Sequence, residues 1–173
     1  MVRARITKSA PDTEKYWEIR HESFNLLRKH VKGKRTAPFI DDVIVRPEFL
    51  PEFLPGLEKI LSKYPELEHT IAGHPGEGNF HIIPLVGLGD ERLNKDIIKA
   101  SDEVYDLTLK YGGSITAEHN DGIIRTPYLE KMYGAKIYGI FGEIKKIFDP
   151  LNIFNPGKKI GGTKEDIKKY LAI

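Results

Sequence analysis

The sequence predicts an α+β fold: a ferredoxin-like antiparallel sheet in βαββαβ order, with one extra helix at each end of the chain. Three observations predict it. Short apolar runs near 39–45, 68–74, 79–86 and 114–117 have strand length, and longer stretches of helical period lie between them. The two central runs are separated only by Pro75-Gly76-Glu77-Gly78, a tight turn that forces them to pair antiparallel. The resulting order, strand-helix-strand-strand-helix-strand, is that of the split βαβ unit, which lays its helices on one face of the sheet. The 173 residues suit one domain with a real core.

Each element has a local reason. Residues 1–11 are basic and polar and read as an arm. Asp12 and Thr13 are N-cap residues, with Glu14 in the first turn, for a helix running to about Val31 and stopped near Gly33. Its seam is Trp17, Arg20, Phe24, Leu27 and Val31. Arg20 therefore stands in an apolar stripe, either as a snorkelling side chain or as a cation facing a cleft for an anionic ligand. Lys32 to Arg35 is a basic loop, and Phe39 to Val45 is a strand ended by Arg46-Pro47. Pro51 and Pro55 fit early turns of a helix that reaches Tyr64, with Leu57, Ile60 and Leu61 inward. After the hairpin, Asp90 caps a helix from Glu91 to Tyr111, closed by Gly112-Gly113. Ser114 to Ala117 is a short strand that delivers Glu118 and His119. Pro127 opens a further helix to about Phe148. An irregular tail from Asp149 to Lys158 and a small helix near 165–171 complete the chain.

Composition excludes several classes of function. A net charge of +2 gives no reason to invoke nucleic acid or an anionic membrane. The absence of cysteine rules out disulfides and thiolate metal sites and fits a reducing cytoplasm. No apolar run approaches the roughly 20 residues of a membrane span. No glycine-rich fingerprint for a nucleotide phosphate is present.

The chemistry concentrates in two clusters. His74 and His81 flank the central turn, so a hairpin brings both imidazoles toward one point. Asn79 and His81 share strand parity and so face the same side of the sheet. Glu118-His119-Asn120-Asp121-Gly122 forms the second cluster. Two imidazoles and a carboxylate are good ligands for zinc, manganese or iron and leave positions open for water or substrate. The other reading is a pair of histidines hydrogen-bonded on a sheet, since the spacing is no zinc signature by itself. Strand neighbours alternate in direction, so Glu118 and His119 are expected to divide the work, one as ligand and the other as base.

Four ordered segments carry a resemblance: 73–81, 113–119, Phe148-Asp149-Pro150 and 154–158. Together they resemble the C-terminal domain of FAD-linked oxidases of the vanillyl-alcohol oxidase type, which include D-lactate, glycolate and D-2-hydroxyglutarate dehydrogenases. The Trp17 to Arg20 helix extends the match. The resemblance implies a divalent metal on His74, His81 and Glu118, and His119 as the base that removes the substrate hydroxyl proton as hydride passes to flavin. It implies Arg20 as the clamp for the substrate carboxylate, and Asn155, Lys158 and Asn79 as contacts to FAD. The function implied is oxidation of a small 2-hydroxy acid. The alternatives are a binding module that keeps the fold without turnover, and a small metal-dependent hydrolase. Glu77 and Asn120 depart from the Asp and Gly usual in the family, and no basic residue stands at Ile40 or Asp41. The family's N-terminal FAD-binding domain has no counterpart in these residues, so a partner domain or subunit, and possible self-association, are expected.

Overall fold

The computed structural model describes residues 8–30, 33–87 and 91–171, with side chains left undescribed at some positions inside helices and strands. The chain divides into two compact units, Met1–Lys34 and Arg35–Ile173.

Among the described residues, the first unit holds helix α1, Ala10–His30. It begins two residues before Asp12, because Pro11 fits a first turn that needs no donor from it. The Thr13 N–H and hydroxyl both donate to the Ser9 carbonyl, each at 3.0 Å. Of the predicted seam, the side chains of Phe24 and Leu27 and all of Val31 lie outside the described residues. Trp17 is half exposed, and the Arg20 guanidinium stacks over its ring at 5.6 Å.

The second unit is α+β. Its sheet contains β1 (Lys34–Thr36), β2 (Val43–Ile44), β3 (Glu68–His74) and β4 (Asn79–Gly87). Strand β4 is the centre and pairs with all three others. The β3–β4 hairpin is antiparallel, with Ala72 opposite His81 and His74 opposite Asn79. Strand β2 lies antiparallel on β4, Val43 opposite Phe80. The fourth predicted strand is reduced to one antiparallel bridge, Ser114 to Ile44.

The predicted strand over 39–45 is also shorter than expected, only Val43–Ile44. Asp42 breaks it, with φ at +70°. Aspartate tolerates this left-handed region because its short side chain bonds to nearby backbone. Thus two of the four predicted strands yield to one loop arrangement, described below.

The helices follow their sequence signals closely. A 3₁₀ turn at Pro47–Phe49 leads into α2, Leu50–Leu61, which stops three residues short of the predicted Tyr64. Helix α3 spans Glu91–Lys110. A second 3₁₀ turn, Thr126–Tyr128, leads into α4, Leu129–Phe148, and α5 spans Lys164–Leu171. Gly134 interrupts α4 with φ +78° and ψ 157°, a kink that the helical pattern does not announce.

The core joins Phe53, Leu57 and Leu61 of α2 to Ile97, Ala100, Val104 and Tyr105 of α3, and to Val43, Phe80, Ile82 and Val86 of the sheet. Each large apolar side chain buried here contributes about 1.5–3 kcal/mol relative to exposure. Phe80 and Ile82 point into this core, so the alternation of β4 turns Asn79 and His81 to the opposite face.

The hairpin turn packs against the end of β2 with no space for a side chain. Gly78 has φ +76°, its carbonyl accepts the Val45 N–H at 3.1 Å, and an added Cβ would lie 1.7 Å from the Val45 carbonyl oxygen. Gly76, two residues away, meets nothing within 4 Å. Gly78→Ala should therefore destabilise the protein by roughly 2–4 kcal/mol, while Gly76→Ala changes stability by less than about 1 kcal/mol. Urea unfolding midpoints of the two variants measure the contrast.

Candidate functional site

The site is built around the buried carboxylate of Asp42. Its Oδ2 accepts the backbone N–H groups of Ala117 and His119, both at 2.8 Å, and its two oxygens share that of Glu118 at 3.1 Å. Asn79 Nδ2 donates to Oδ1 at 3.1 Å, and the Thr116 hydroxyl to Oδ2 at 3.4 Å. Burial pushes the Asp42 pKa up, but the bonds from Ala117, His119, Glu118 and Asn79 outweigh it and hold the group below its ordinary value. Three consecutive N–H groups converging on one anion cannot come from an extended strand, so the chain after Ser114 curls.

That curl decides where Glu118 and His119 point. Strand alternation predicts that they diverge; the structure brings them to the same place. Glu118 Oε1 lies 2.9 Å from His81 Nε2, 3.4 Å from His74 Nε2 and 3.5 Å from His119 Nε2. The His81 ring centroid is 4.8 Å from that of His119 and 5.8 Å from that of His74. The Glu118, His74 and His119 side chains are each about half exposed, whereas His81 is mostly covered. One side of the cluster is thus open to a small molecule.

The donor set fits a divalent cation. A carboxylate only accepts hydrogen bonds, and so does an imidazole nitrogen without a hydrogen. Three imidazole nitrogens gather round one carboxylate oxygen where each carries a hydrogen to donate or where they share one cation. Asp42, His81, Glu118 and His119 each bring a ligand atom within 4.8 Å of the others. Asp42 nevertheless has its oxygens engaged by donors already, so its part is to hold the backbone. His81, Glu118 and His119 bring the other ligand atoms of that group, and His74 Nε2 reaches the same Glu118 oxygen at 3.4 Å from its edge.

Sequence reasoning passed over three residues of this arrangement. Asp42 is one. Asp41 is another: its Oδ1 lies 3.0 Å from His81 Nδ1. The third is the buried Arg125, whose Nε and Nη2 donate to the Asp41 carbonyl at 3.2 and 2.5 Å and whose Nη1 donates to the Asn120 carbonyl. The available signal was two acids side by side in an otherwise apolar segment.

The remaining expected site residues are placed as follows. Asn79 spends its amide hydrogens on Asp42 and on the Val43 carbonyl, while its buried Oδ1 has no hydrogen-bond partner among the described residues. Asn155 and Lys158 lie exposed on the tail and pair with each other, Nζ to Oδ1 at 3.0 Å. Lys159, next along, ties that tail to Asp121 at 2.7 Å and to Asn120, just past His119. Arg20 belongs to the first unit, with its guanidinium on Trp17.

The family model of the FAD linked oxidases, C-terminal domain, matches residues 1–159, and the chain belongs to that family. Its relatives carry the names of 2-hydroxy acid oxidising enzymes. A D-2-hydroxyglutarate dehydrogenase of Haemophilus influenzae is 32% identical over 154 residues, 89% of this chain and 15% of the relative. A D-lactate dehydrogenase of Archaeoglobus fulgidus is 30% identical over 159 residues, 92% of this chain and 33% of the relative. The glycolate oxidase subunit GlcD of Bacillus subtilis is 29% identical over 138 residues, 80% of this chain and 29% of the relative. The chain thus spans between about a seventh and a third of the length of these proteins. No helix among the described residues is long and apolar enough to cross a membrane.

Asp42 binds fewer protons folded than unfolded, so it stabilises the fold in full above its unfolded pKa of about 3.9, and the contribution is lost as pH falls through its lower folded value. Asp42→Asn should lower stability by roughly 2–4 kcal/mol at pH 7, since an amide replaces an acceptor oxygen with a donor facing N–H groups. It should also flatten the loss of stability below about pH 4. Denaturant unfolding at pH 7 and pH 3.5 checks both.

Proposed function

We propose that the chain is the substrate- and cation-binding portion of a flavin-dependent dehydrogenase that oxidises a small 2-hydroxy acid to the 2-oxo acid. The observation that carries this reading is the single Glu118 oxygen within 3.5 Å of three imidazole nitrogens, on a chain of the FAD linked oxidase family. The names of the relatives support the substrate class. Membership of the family favours this reading over a metal-dependent hydrolase or a module without turnover.

In this proposal His74, His81 and Glu118 hold a divalent ion such as zinc, manganese or iron, which supplies Lewis acidity toward the substrate oxygens. A bound FAD would supply the acceptor for the hydride of the hydroxyl carbon. His119, half exposed at the open side of the cluster, takes the hydroxyl proton. Arg20 meets the substrate carboxylate, and its guanidinium is suited to a two-point grip. Asn79, beside the cluster, and Asn155 and Lys158 on the exposed tail meet the flavin. A separate FAD-binding domain or subunit completes the site. The apolar side chains Ile144, Ile147, Phe148, Leu151, Ile153 and Phe154 are exposed along the end of α4 and the tail, and they support a covering partner. The strand pairings support a ferredoxin-like sheet whose fourth strand has shrunk to the Ser114 bridge. The absence of cysteine supports a cytoplasmic setting.

With the FAD-binding domain supplied, His119→Ala should slow flavin reduction at saturating hydroxy acid by about 10²–10⁴-fold. Arg20→Ala should act mainly on KM, because a carboxylate clamp binds ground and transition states alike. Stopped-flow flavin reduction separates the two. Reduction by His119→Ala at the wild-type rate removes His119 from the base role.

A further inference from the structure

The geometry points to Asp41 as the positioning residue for His81: its carboxylate holds the ring so that Nε2 faces a divalent cation, and Arg125 locks Asp41 itself in place. The inference rests on the cation site proposed above and assigns how one of its ligands is prepared.

The contacts make the case. Asp41 Oδ1 lies 3.0 Å from His81 Nδ1. A carboxylate accepts and never donates when ionised, so the hydrogen in that bond belongs to Nδ1. The free position of the ring is then Nε2, the atom 2.9 Å from Glu118 Oε1 at the centre of the cluster. Both side chains are largely covered, with 15% exposure for His81 and 19% for Asp41, so water competes little for the bond. A histidine that donates its second N–H to a carboxylate is oriented and made a stronger ligand.

Asp41 is itself fixed with unusual thoroughness for a loop residue. The Ala37 N–H donates to the Pro84 carbonyl at 2.9 Å and ties the start of the segment to β4. The Tyr105 hydroxyl, fully buried in α3, donates to the Phe39 carbonyl at 2.6 Å. Arg125 grips the Asp41 carbonyl with two nitrogens and the Asn120 carbonyl with the third. The same guanidinium therefore joins the loop that orients His81 to the loop that carries Glu118 and His119. Immediately after Asp41, the Asp42 carboxylate binds the latter loop a second time. The two adjacent acids thus have separate roles. Asp42 shapes the backbone that carries Glu118 and His119, and Asp41 sets the His81 imidazole.

The test uses the full chain and zinc alone as the probe. Wild type, Asp41→Ala and Asp41→Asn are titrated with zinc against a competing chelator. In parallel, the His81 ring N–H signals of the metal-free proteins are followed by ¹H–¹⁵N correlation. Asp41→Ala should lose about 10–100-fold in zinc affinity, and Asp41→Asn, which keeps a neutral acceptor oxygen, should fall between it and wild type. The metal-free wild type should show an Nδ1–H protected from solvent exchange, lost in Asp41→Ala. Wild-type zinc affinity in both variants, or an unchanged ring signal in Asp41→Ala, overturns the assignment. A wild-type chain without zinc affinity overturns the cation site and this inference with it. The ring signal, which needs no metal, tells that failure apart from a failure of the Asp41–His81 bond.

Discussion

The buried carboxylate of Asp42 is the constraint on which the rest of the site depends. A charge removed from water demands compensation, and here it comes from three successive backbone N–H groups and the Asn79 amide. Meeting that demand bends the chain at 115–119, and the bend places a carboxylate and an imidazole from adjacent residues in one cluster. The same demand puts Asp42 itself in the left-handed region and cuts β2 to two residues. Sheet, loop and site are in this sense one arrangement: lost strand pairing is exchanged for charge-assisted hydrogen bonds that aim functional groups.

Much of the scaffold was legible because its signals are local. Pro75 to Gly78 marks a turn, the residues on either side have strand character, and the hairpin follows with its register. Helix α3 ends where the glycine pair at 112–113 announces it. What was not legible depends on partners distant in sequence. Phe39 to Val45 is apolar and β-branched enough to pass for a strand, and nothing within it shows that the second acid will be claimed by residues 117–119. Arg125 carries no motif; its role exists only because two carbonyls, 79 residues apart in sequence at Asp41 and Asn120, come to the same guanidinium. The kink at Gly134 was hidden for the opposite reason, since a glycine inside a helical pattern usually leaves the helix intact.

The candidate ligands were read from the sequence as types and rough positions, but their mutual geometry was not. Alternation argued that Glu118 and His119 point apart. They converge because the segment is a loop rather than a strand. The tail repeats the device on a smaller scale: the Asp149 carboxylate collects the Ile153 and Phe154 N–H groups at 2.9 Å and pairs with Lys145. This fixes the turn that leads to Asn155 and Lys158. Its pKa is lowered first by the Lys145 bond, against a smaller opposing effect of burial. In both places a covered aspartate organises the loop that displays polar groups to solvent.

The central claim is that His74, His81 and Glu118 converge on one cation. X-ray absorption at the zinc edge of the zinc-loaded full chain tests it most directly. The account predicts a first shell of nitrogen and oxygen near 2.0–2.1 Å, together with the outer-shell scattering of at least two imidazole rings, reduced by one ring in His81→Ala. A first shell without imidazole scattering, or one unchanged in His81→Ala, would contradict it.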